Sequence, residues 1–210
     1  MAIKINMPNF SGRIGNVIFY ERNGCQIARI QAQHPKNPKT LKQLQQRAKV
    51  RAAAQWLSPI KVFLHTGFIS EGKGKSYNRA NKLFLLDAVE SDGTSVTVNP
   101  AKVMVAEGKT APAEDVSMTV EGHLVTLRWT DNSGQPHANS TDRLLYLFFD
   151  PEKGKMISNV QQCLTTIRCN GQCHLNLPEH HTGRYHVYLC FINMAKTEAS
   201  NSVYLGEVTL

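Results

Sequence analysis

Cysteine and histidine, the side chains that most often hold zinc, concentrate between residues 163 and 190. The members of this cluster are Cys163, Cys169, Cys173, His174, His180, His181, His186 and Cys190. A structural zinc site takes four such ligands, commonly as two pairs whose members stand about two to four residues apart. Only Cys169 and Cys173 approach that spacing, so we expect no metal site and no cofactor. These two thiols flank a predicted turn at 170–172, where they are either free or joined in a cross-strand disulfide.

The sequence contains neither a known nucleophile motif nor a complete phosphate-binding loop. The Gly-x-Ser-x-Gly elbow of serine hydrolases does not occur. Gly74-Lys75-Ser76 ends in the manner of a phosphate-binding loop, but Ile69 stands where that motif requires its first glycine. We therefore expect that the protein is not an enzyme.

Charge is distributed very unevenly along the 210 residues. Residues 1–86 hold 15 lysine and arginine residues against Glu21 and Glu71, a net charge of +13. The remaining 124 residues hold 9 basic residues and 14 acids, a net charge of −5. Such a division concerns binding partners rather than the fold, and it predicts that the first part of the chain contacts an anionic surface.

The basic residues of the first part are densest between Lys36 and Leu57. The candidate binding residues there, for subunit docking or for phosphate, are Lys36, Lys39, Lys42, Arg47, Lys49 and Arg51. These cations either form a solvated face beside a core stripe or bind phosphate groups or an acidic protein. The residue types alone leave these alternatives open.

A helix is predicted to carry most of these cations. Asn37-Pro38 interrupts the preceding segment, and Thr40 with Gln43 forms a capping box at the start of the helix. The helical period places an apolar stripe on one narrow face, and Trp56 borders it. The stripe consists of Leu41, Leu44, Ala48, Ala52 and Gln55.

A β-hairpin is predicted before this helix, with strands at 16–22 and 25–31. Asn23-Gly24 between them is the strongest short signal for a two-residue hairpin turn. The turn pairs Tyr20 with Ile27, and the register that follows gives both faces apolar residues. Because an isolated hairpin is marginally stable in water, we expect this one to dock on the helices, on the second module or on another subunit.

Two further helices, at 60–69 and 77–89, are followed by short alternating strands. Strands are predicted at 102–106, 116–120, 123–130, 143–149, 156–168, 172–177, 185–192 and 202–208. The last seven predict an antiparallel immunoglobulin-like or fibronectin-like sandwich, with Trp129 as a buried structural residue. The predicted fold class is α+β, with a hairpin-plus-helix module at 1–90, a strand and linker at 91–114 and the sandwich at 115–210.

Several signals bear on the compartment. No run of about 18 apolar residues is present, and the first residues lack the layout of a signal peptide. Five cysteines are an odd number, which argues against a disulfide framework. We expect a chain without a membrane partner, located in the cytoplasm or in a virion.

The order of the motifs resembles a family of uncharacterised proteins of gut bacteria and their mobile elements. The resemblance rests on F-S-G-R-I-G-N-V and K-N-P-K-T-L-K-Q-L-Q-Q-R-A-K-V near the start, and on L-R-W-T-D-N-S-G, F-D-P-E-K-G and S-N-S-V-Y-L-G later. It implies a two-part layout, and it carries no catalytic residues that could be transferred to this sequence. The pattern N-P-x-T-x-x-Q-x-x-x-R from Asn37 to Arg47 is also similar to a segment of phage and prophage structural proteins, where it lies in arms between subunits.

These observations predict a structural or assembly protein of the virion or prophage type, forming a homo-oligomer or a larger assembly through its basic N-terminal module. The alternative is a nucleic-acid-binding protein that contacts phosphates without reading bases. The sequence lacks the interleaved aromatic residues of single-strand binders and any base-reading motif.

Overall fold

A computed structural model of the chain describes residues 2–4, 10–33, 37, 39–69, 74–91, 95–161 and 165–210. Its helices and antiparallel sheets make the fold α+β. The chain divides into two compact units, 1–40 and 41–210. This division differs from the predicted boundaries at 90 and 114, because the helices after residue 40 share a core with strands beyond residue 114.

The N-terminal unit is a four-stranded antiparallel sheet in the order β1-β4-β3-β2. Its strands are β1 (Ala2–Lys4), β2 (Gly12–Ile14), β3 (Val17–Arg22) and β4 (Cys25–Ile30). The predicted hairpin is therefore the centre of a larger sheet. Each of its strands gains a further neighbour, which extends the backbone hydrogen bonding beyond that of an isolated hairpin.

The turn between β3 and β4 has the geometry that its two residues favour. Asn23 has φ of 53° and Gly24 has φ of 71°, and two positive φ values are characteristic of the tight hairpin turn that Asn-Gly prefers. Tyr20 pairs with Ile27, and the rest of the register is as predicted.

Three α-helices are described in the second unit. They are α1 (Leu41–Leu57), α2 (Lys61–Gly67) and α3 (Ser76–Leu83), and a short π-helical segment, Phe84–Ala88, continues α3. Helix α1 begins directly after Thr40, the residue predicted to cap it. A small hairpin of β5 (Val89–Ser91) and β6 (Val96–Val98) follows.

Helix α2 ends at Gly67 because another part of the chain passes unusually close to it. A Cβ atom at position 67 would lie 2.3 Å from the carbonyl oxygen of Val105. The amide of Glu107 donates to the Gly67 carbonyl at 3.0 Å, which holds this approach in place. Only glycine fits there without displacing backbone.

Seven strands complete the second unit in two antiparallel sheets, ordered β11-β8-β7 and β10-β9-β12-β13. The strands are β7 (Glu114–Glu121), β8 (Leu124–Thr130), β9 (Arg143–Asp150), β10 (Lys155–Ser158), β11 (Gln172–Asn176), β12 (Arg184–Ile192) and β13 (Val203–Thr209). All seven begin within two residues of the predicted positions.

Two of the strand predictions were wrong. The predicted strand 102–106 is a 3-10 turn, Pro100–Lys102, followed by irregular chain. Among the described residues of the predicted strand 156–168, only β10 is a regular strand, and Arg168–Asn170 is a second 3-10 turn. In the first case Val103, Val105 and Ala106 are buried by irregular chain that packs on the helices and strands, which the strand pattern cannot distinguish from pairing.

The two sheets of the second unit face each other across a shared apolar core, called here the sheet core. Strand β8 contributes Val125, Leu127 and Trp129 to it, and β12 contributes Tyr185 and Val187 among others. These are the residues that the alternation of both strands predicted to point inward.

A second core, called here the helix core, lies on the other side of the β10-β9-β12-β13 sheet. Leu145, Leu147 and Phe149 of β9 point into it, whereas the intervening residues of β9 point into the sheet core. The three helices cover this face, and Phe63 and Phe84 are fully buried within it. Strands β9 and β12 therefore have no solvent-facing side.

Helix α1 buries a different face from the one predicted. Its buried residues are Ala53, Trp56 and Leu57 in the last two turns. Leu41 and Leu44 of the predicted stripe remain 67% and 47% exposed. The helix docks through its C-terminal end because Trp56 fills the space between Phe84 and Phe149, with ring centroids 6.1 and 5.7 Å away.

Candidate functional site

One face of the N-terminal sheet is apolar and open to solvent. Cross-strand pairing places Ile14, Val17 and Ile30 in one row across the sheet. Phe19 and Ala28 belong to the next row on the same face, two residues further along their strands. We call these five residues the apolar face. Ile14 is 61% exposed and Ile30 is 70% exposed. Exposed contiguous apolar area of this kind is characteristic of interaction sites.

The opposite face of the same sheet is basic. Arg13, Arg22 and Arg29 lie on it among apolar residues. The guanidinium of Arg29 lies 5.7 Å from the centroid of the Tyr20 ring, and Nε of Arg13 donates to the Gly15 carbonyl at 2.8 Å. Two of the three cations are thus held by local contacts.

No side chain in residues 10–33 of the N-terminal unit is buried. Phe10 packs edge-to-face on Phe19, with ring centroids 5.4 Å apart. Strands without a buried side chain, such as β2, β3 and β4, gain little hydrophobic stabilisation from their own residues. The second unit, by contrast, buries two cores of its own.

Four of the six predicted binding residues, Lys42, Arg47, Lys49 and Arg51, lie on α1. Lys36 lies outside the described residues. Lys39, Lys42, Arg47 and Arg51 are exposed, and Lys49 is half-buried. Gln43, predicted to complete the capping box, is exposed on α1.

The helical period separates the cations of α1 into two groups. At about 100° per residue, Lys42 and Lys49 share one side of the helix, and Arg47 and Arg51 lie roughly 140–200° further round. A single row of phosphates cannot contact both groups. The charges of α1 thus surround the helix instead of forming one basic face.

A groove runs between the first half of α1 and the β5–β6 hairpin. Its volume is about 360 Å³. The lining residues are Leu41, Leu44, Gln45, Ala48, Ser91, Ser95 and Val96. The first three residues of the predicted apolar stripe, Leu41, Leu44 and Ala48, therefore line a surface groove instead of the core. We call this feature the α1 groove.

A second groove, of about 250 Å³, has a mixed charge and lies beside β12 and β13. The groove contains the buried Asp150. Its Oδ1 atom accepts hydrogen bonds from the backbone amides of Glu152 and Lys153, at 2.9 and 3.0 Å. Arg184 and Glu207 approach each other at 3.7 Å across it. The charges of Asp150, Arg184 and Glu207 are thus accounted for by local turn and strand contacts.

The two buried thiols, Cys173 and Cys190, are not activated nucleophiles. Cys25, Cys169, Cys173 and Cys190 are free, and Cys163 lies outside the described residues. Burial raises the pKa of Cys173, and it raises the pKa of Cys190 to about 12. Since the thiolate is the nucleophile, both buried thiols are unreactive at neutral pH.

Among the residues that the structure describes, no three His, Cys, Asp or Glu side chains are grouped to hold a metal ion. Within the same residues, no helix is both long and apolar enough to cross a membrane.

Arg168 is fully buried and hydrogen-bonds several residues at one end of the sheet core. No motif in the sequence predicted this. Arg168 donates from Nε and Nη2 to Oδ2 of Asp142 at 3.2 and 3.1 Å, and from Nη1 to Oδ1 of Asn132 at 2.6 Å. Its guanidinium lies 4.0 Å from the centroid of the Phe191 ring. The indole of Trp129 donates to the Arg168 carbonyl at 2.7 Å. This network is structural, since it is enclosed and its donors have protein acceptors.

Comparisons with known proteins bear on the family alone. Comparison with curated proteins and comparison with solved structures gave no match. Residues 9–206 match a family model, which spans nearly the whole chain and both compact units. The chain therefore belongs to a family of unknown function, DUF6266.

Proposed function

We propose that the protein is a non-enzymatic assembly protein whose copies dock on one another through the apolar face of the N-terminal sheet. The observation that carries this proposal is the contrast between the two units. The second unit buries its apolar residues in two cores, whereas residues 10–33 of the N-terminal unit bury none. Burial of the apolar face against another molecule would stabilise that unit.

A second copy suits the apolar face because the face is nearly free of charge. Glu21 is the one charged residue that pairing places on it in β2, β3 and β4. Two such faces can meet about a two-fold axis as packed sheets do, roughly 10 Å apart, without opposing like charges. The basic face could not do so, because Arg13, Arg22 and Arg29 would face their own counterparts.

The seven strands β7–β13 are proposed to form an immunoglobulin-like, fibronectin type III-like sandwich. Sheets of three and four antiparallel strands around one core support this assignment, as does the position of Trp129 on the second strand. The helices would then cover the outer face of one sheet. The loops at the ends of the strands would remain available for further contacts.

Placement in a phage or prophage-type virion is likewise a proposal. It rests on the resemblance of the segment from Asn37 to Arg47 to arms of phage structural proteins. Nucleic-acid binding through the basic stretch is the competing function. The division of the α1 cations onto opposite sides of the helix weighs against it.

Light scattering after size exclusion tests the assembly. We expect the wild type to elute as a dimer or larger species and the Ile14→Glu/Ile30→Glu variant to elute as a monomer. Both side chains are exposed, so the variant should fold. Leu86→Glu, at a residue 66% exposed in the second unit, is the matched control and should leave the assembly intact.

Two outcomes would contradict the proposed assembly. One is a wild type that remains monomeric at high concentration. The other is a wild type that binds a DNA duplex with a steep dependence on salt, as counterion release requires, while its mass is unaffected by the Ile14→Glu/Ile30→Glu change. The second outcome would favour the nucleic-acid function.

A further inference from the structure

We infer that the basic face of the N-terminal sheet binds single-stranded nucleic acid, with its arginines on phosphates and bases over the residues between them. This face lies opposite the apolar face of the same sheet, so the inference does not rest on the proposed assembly. Its cations are Arg13, Arg22 and Arg29. The residues between them, called here the apolar centre, are Ile18, Tyr20 and Ile27.

Charge is segregated between the two sides of the sheet. Every arginine of β2, β3 and β4 lies on the basic face, whereas Glu21, the one acid of these strands, lies on the other side. Among the described residues, none of the three guanidinium groups pairs with a carboxylate. The basic face therefore carries uncompensated charge of one sign, which attracts a polyanion.

The arginines surround the apolar centre. Arg13 and Arg29 both pair with Ile18, one on each side of β3. Since neighbouring strands lie roughly 4.8 Å apart, the Cα atoms of these two arginines are separated by roughly 10 Å. Arg22 stands four residues beyond Ile18 on β3, which places it roughly 13 Å further along the sheet. A flexible strand of several nucleotides can contact all three cations.

The apolar centre offers a surface for bases. Its three side chains are half-buried, whereas the three arginines around it are exposed. The guanidinium of Arg29 lies 5.7 Å from the centroid of the Tyr20 ring, so two planar groups are available for stacking. Proteins that bind single strands combine stacking on such groups with cations that follow the phosphates. The sheet brings this combination together from three strands.

The same features argue against three other anionic occupants. A nucleic-acid duplex encloses its bases, so it would contact the arginines and leave the apolar centre uncovered. A bilayer surface favours apolar side chains that insert into it, but those of the apolar centre are half-buried among exposed cations. An acidic peptide would pair with the arginines, but its carboxylates do not stack on Tyr20. Single-stranded nucleic acid satisfies both the charge and the planar groups.

Anisotropy of a short, labelled single-stranded oligodeoxynucleotide tests the inference on the full chain. Three phosphate contacts, at about 0.7 each, predict that the logarithm of the affinity falls with the logarithm of the salt concentration with a slope of about −2. The sheet variant, Arg13→Gln/Arg22→Gln/Arg29→Gln, should weaken binding at low salt by about tenfold or more and should lose most of this slope.

Two further variants separate charge from stacking and from misfolding. Tyr20→Leu keeps an apolar side chain but removes the ring, so it should weaken binding by about tenfold and leave the salt slope unchanged. The lysine variant, Arg13→Lys/Arg22→Lys/Arg29→Lys, keeps the three charges and should retain the slope. Its binding would show that the sheet variant fails through lost charge.

The matched control removes three charges from the other unit. Lys42→Gln/Lys49→Gln/Arg51→Gln, the helix variant, changes the net charge by the same amount as the sheet variant does, but on α1. We expect it to bind the oligodeoxynucleotide nearly as the wild type does. Light scattering of the sheet variant should give the wild-type mass, so that lost binding is not mistaken for lost assembly.

Four results would overturn the inference. The first is binding that the helix variant loses and the sheet variant keeps. The second is equal affinity of the wild type for the single strand and for a duplex of the same sequence. The third is displacement of the oligodeoxynucleotide by polyglutamate at an equal concentration of charge, which would assign the basic face to an acidic protein. The fourth is no salt-dependent binding by the wild type or by the lysine variant.

Discussion

The indole of Trp56 stacks on the imidazole of His186, with ring centroids 5.3 Å apart and planes inclined by 25°. Nδ1 of His186 also lies 2.9 Å from the hydroxyl of Tyr204. Helix α1 is thereby joined to β12 and β13 by one aromatic side chain that can gain a proton. We therefore expect the docking of α1 to depend on pH.

Acidification should weaken the second unit through His186. Burial lowers the pKa of this imidazole below its ordinary 6.5, and Arg184 lowers it further, while Glu207 and Asp150 oppose the shift. Since the folded protein binds this proton more weakly than the unfolded chain, the contribution to stability is complete above about pH 6.5 and is lost as the pH falls. Urea unfolding at pH 8 and 5.5 should show a loss below about 1 kcal/mol, because the ring is half exposed.

The control for this prediction is a second histidine. His181 also has a lowered pKa, caused by burial and then by His180 and Lys155. His186→Gln should remove more of the difference between the two pH values than His181→Gln does. A larger effect of His181→Gln would show that the stack is not the main source of the pH dependence.

Replacement of Arg168 by methionine should destabilise the protein strongly. The variant leaves the carboxylate of Asp142 buried without its cation, which typically costs about 3–5 kcal/mol. Arg184→Met removes an exposed cation 3.7 Å from Glu207 and should cost less than about 1 kcal/mol. Urea unfolding of both variants measures the difference, and equal losses would contradict a special role for the buried pair.

Gly67→Ala should destabilise the contact between α2 and the segment after β6. The added Cβ would lie 2.3 Å from the Val105 carbonyl oxygen, so backbone must move, at a cost of about 1–3 kcal/mol. His65→Ala changes an exposed residue of the same helix and should have little effect. If thermal unfolding gave the same midpoint for the two variants, the close approach would not limit stability.

Local signals in the sequence were sufficient for the central hairpin of the N-terminal sheet and for several strands of the second unit. Asn23-Gly24 specified the turn and the register of β3 with β4 because few dipeptides adopt two positive φ values easily. Alternation identified the inward residues of β8 and β12, since side chains of a strand point to opposite faces in turn.

The apolar run of β9 indicates more of the fold than the single strand predicted from it. Residues 144–149 are apolar at every position, which is typical of a strand buried on both faces. This signal indicates a layer on each side of β9, and the helices are the second layer. It also accounts for the difference between the predicted domain boundaries and the compact units.

The sequence by itself determined where α1 lies, where the hairpin turns and which strands alternate, because these depend on neighbours within a few residues. Only the tertiary structure decided which stripe of α1 is buried, because two stripes were available and Trp56 fits between Phe84 and Phe149. The burial of Arg168 was decided in the same way, since Asp142 and Asn132 are distant from it along the chain. Periodicity shows that a face is apolar, but only packing shows what covers it.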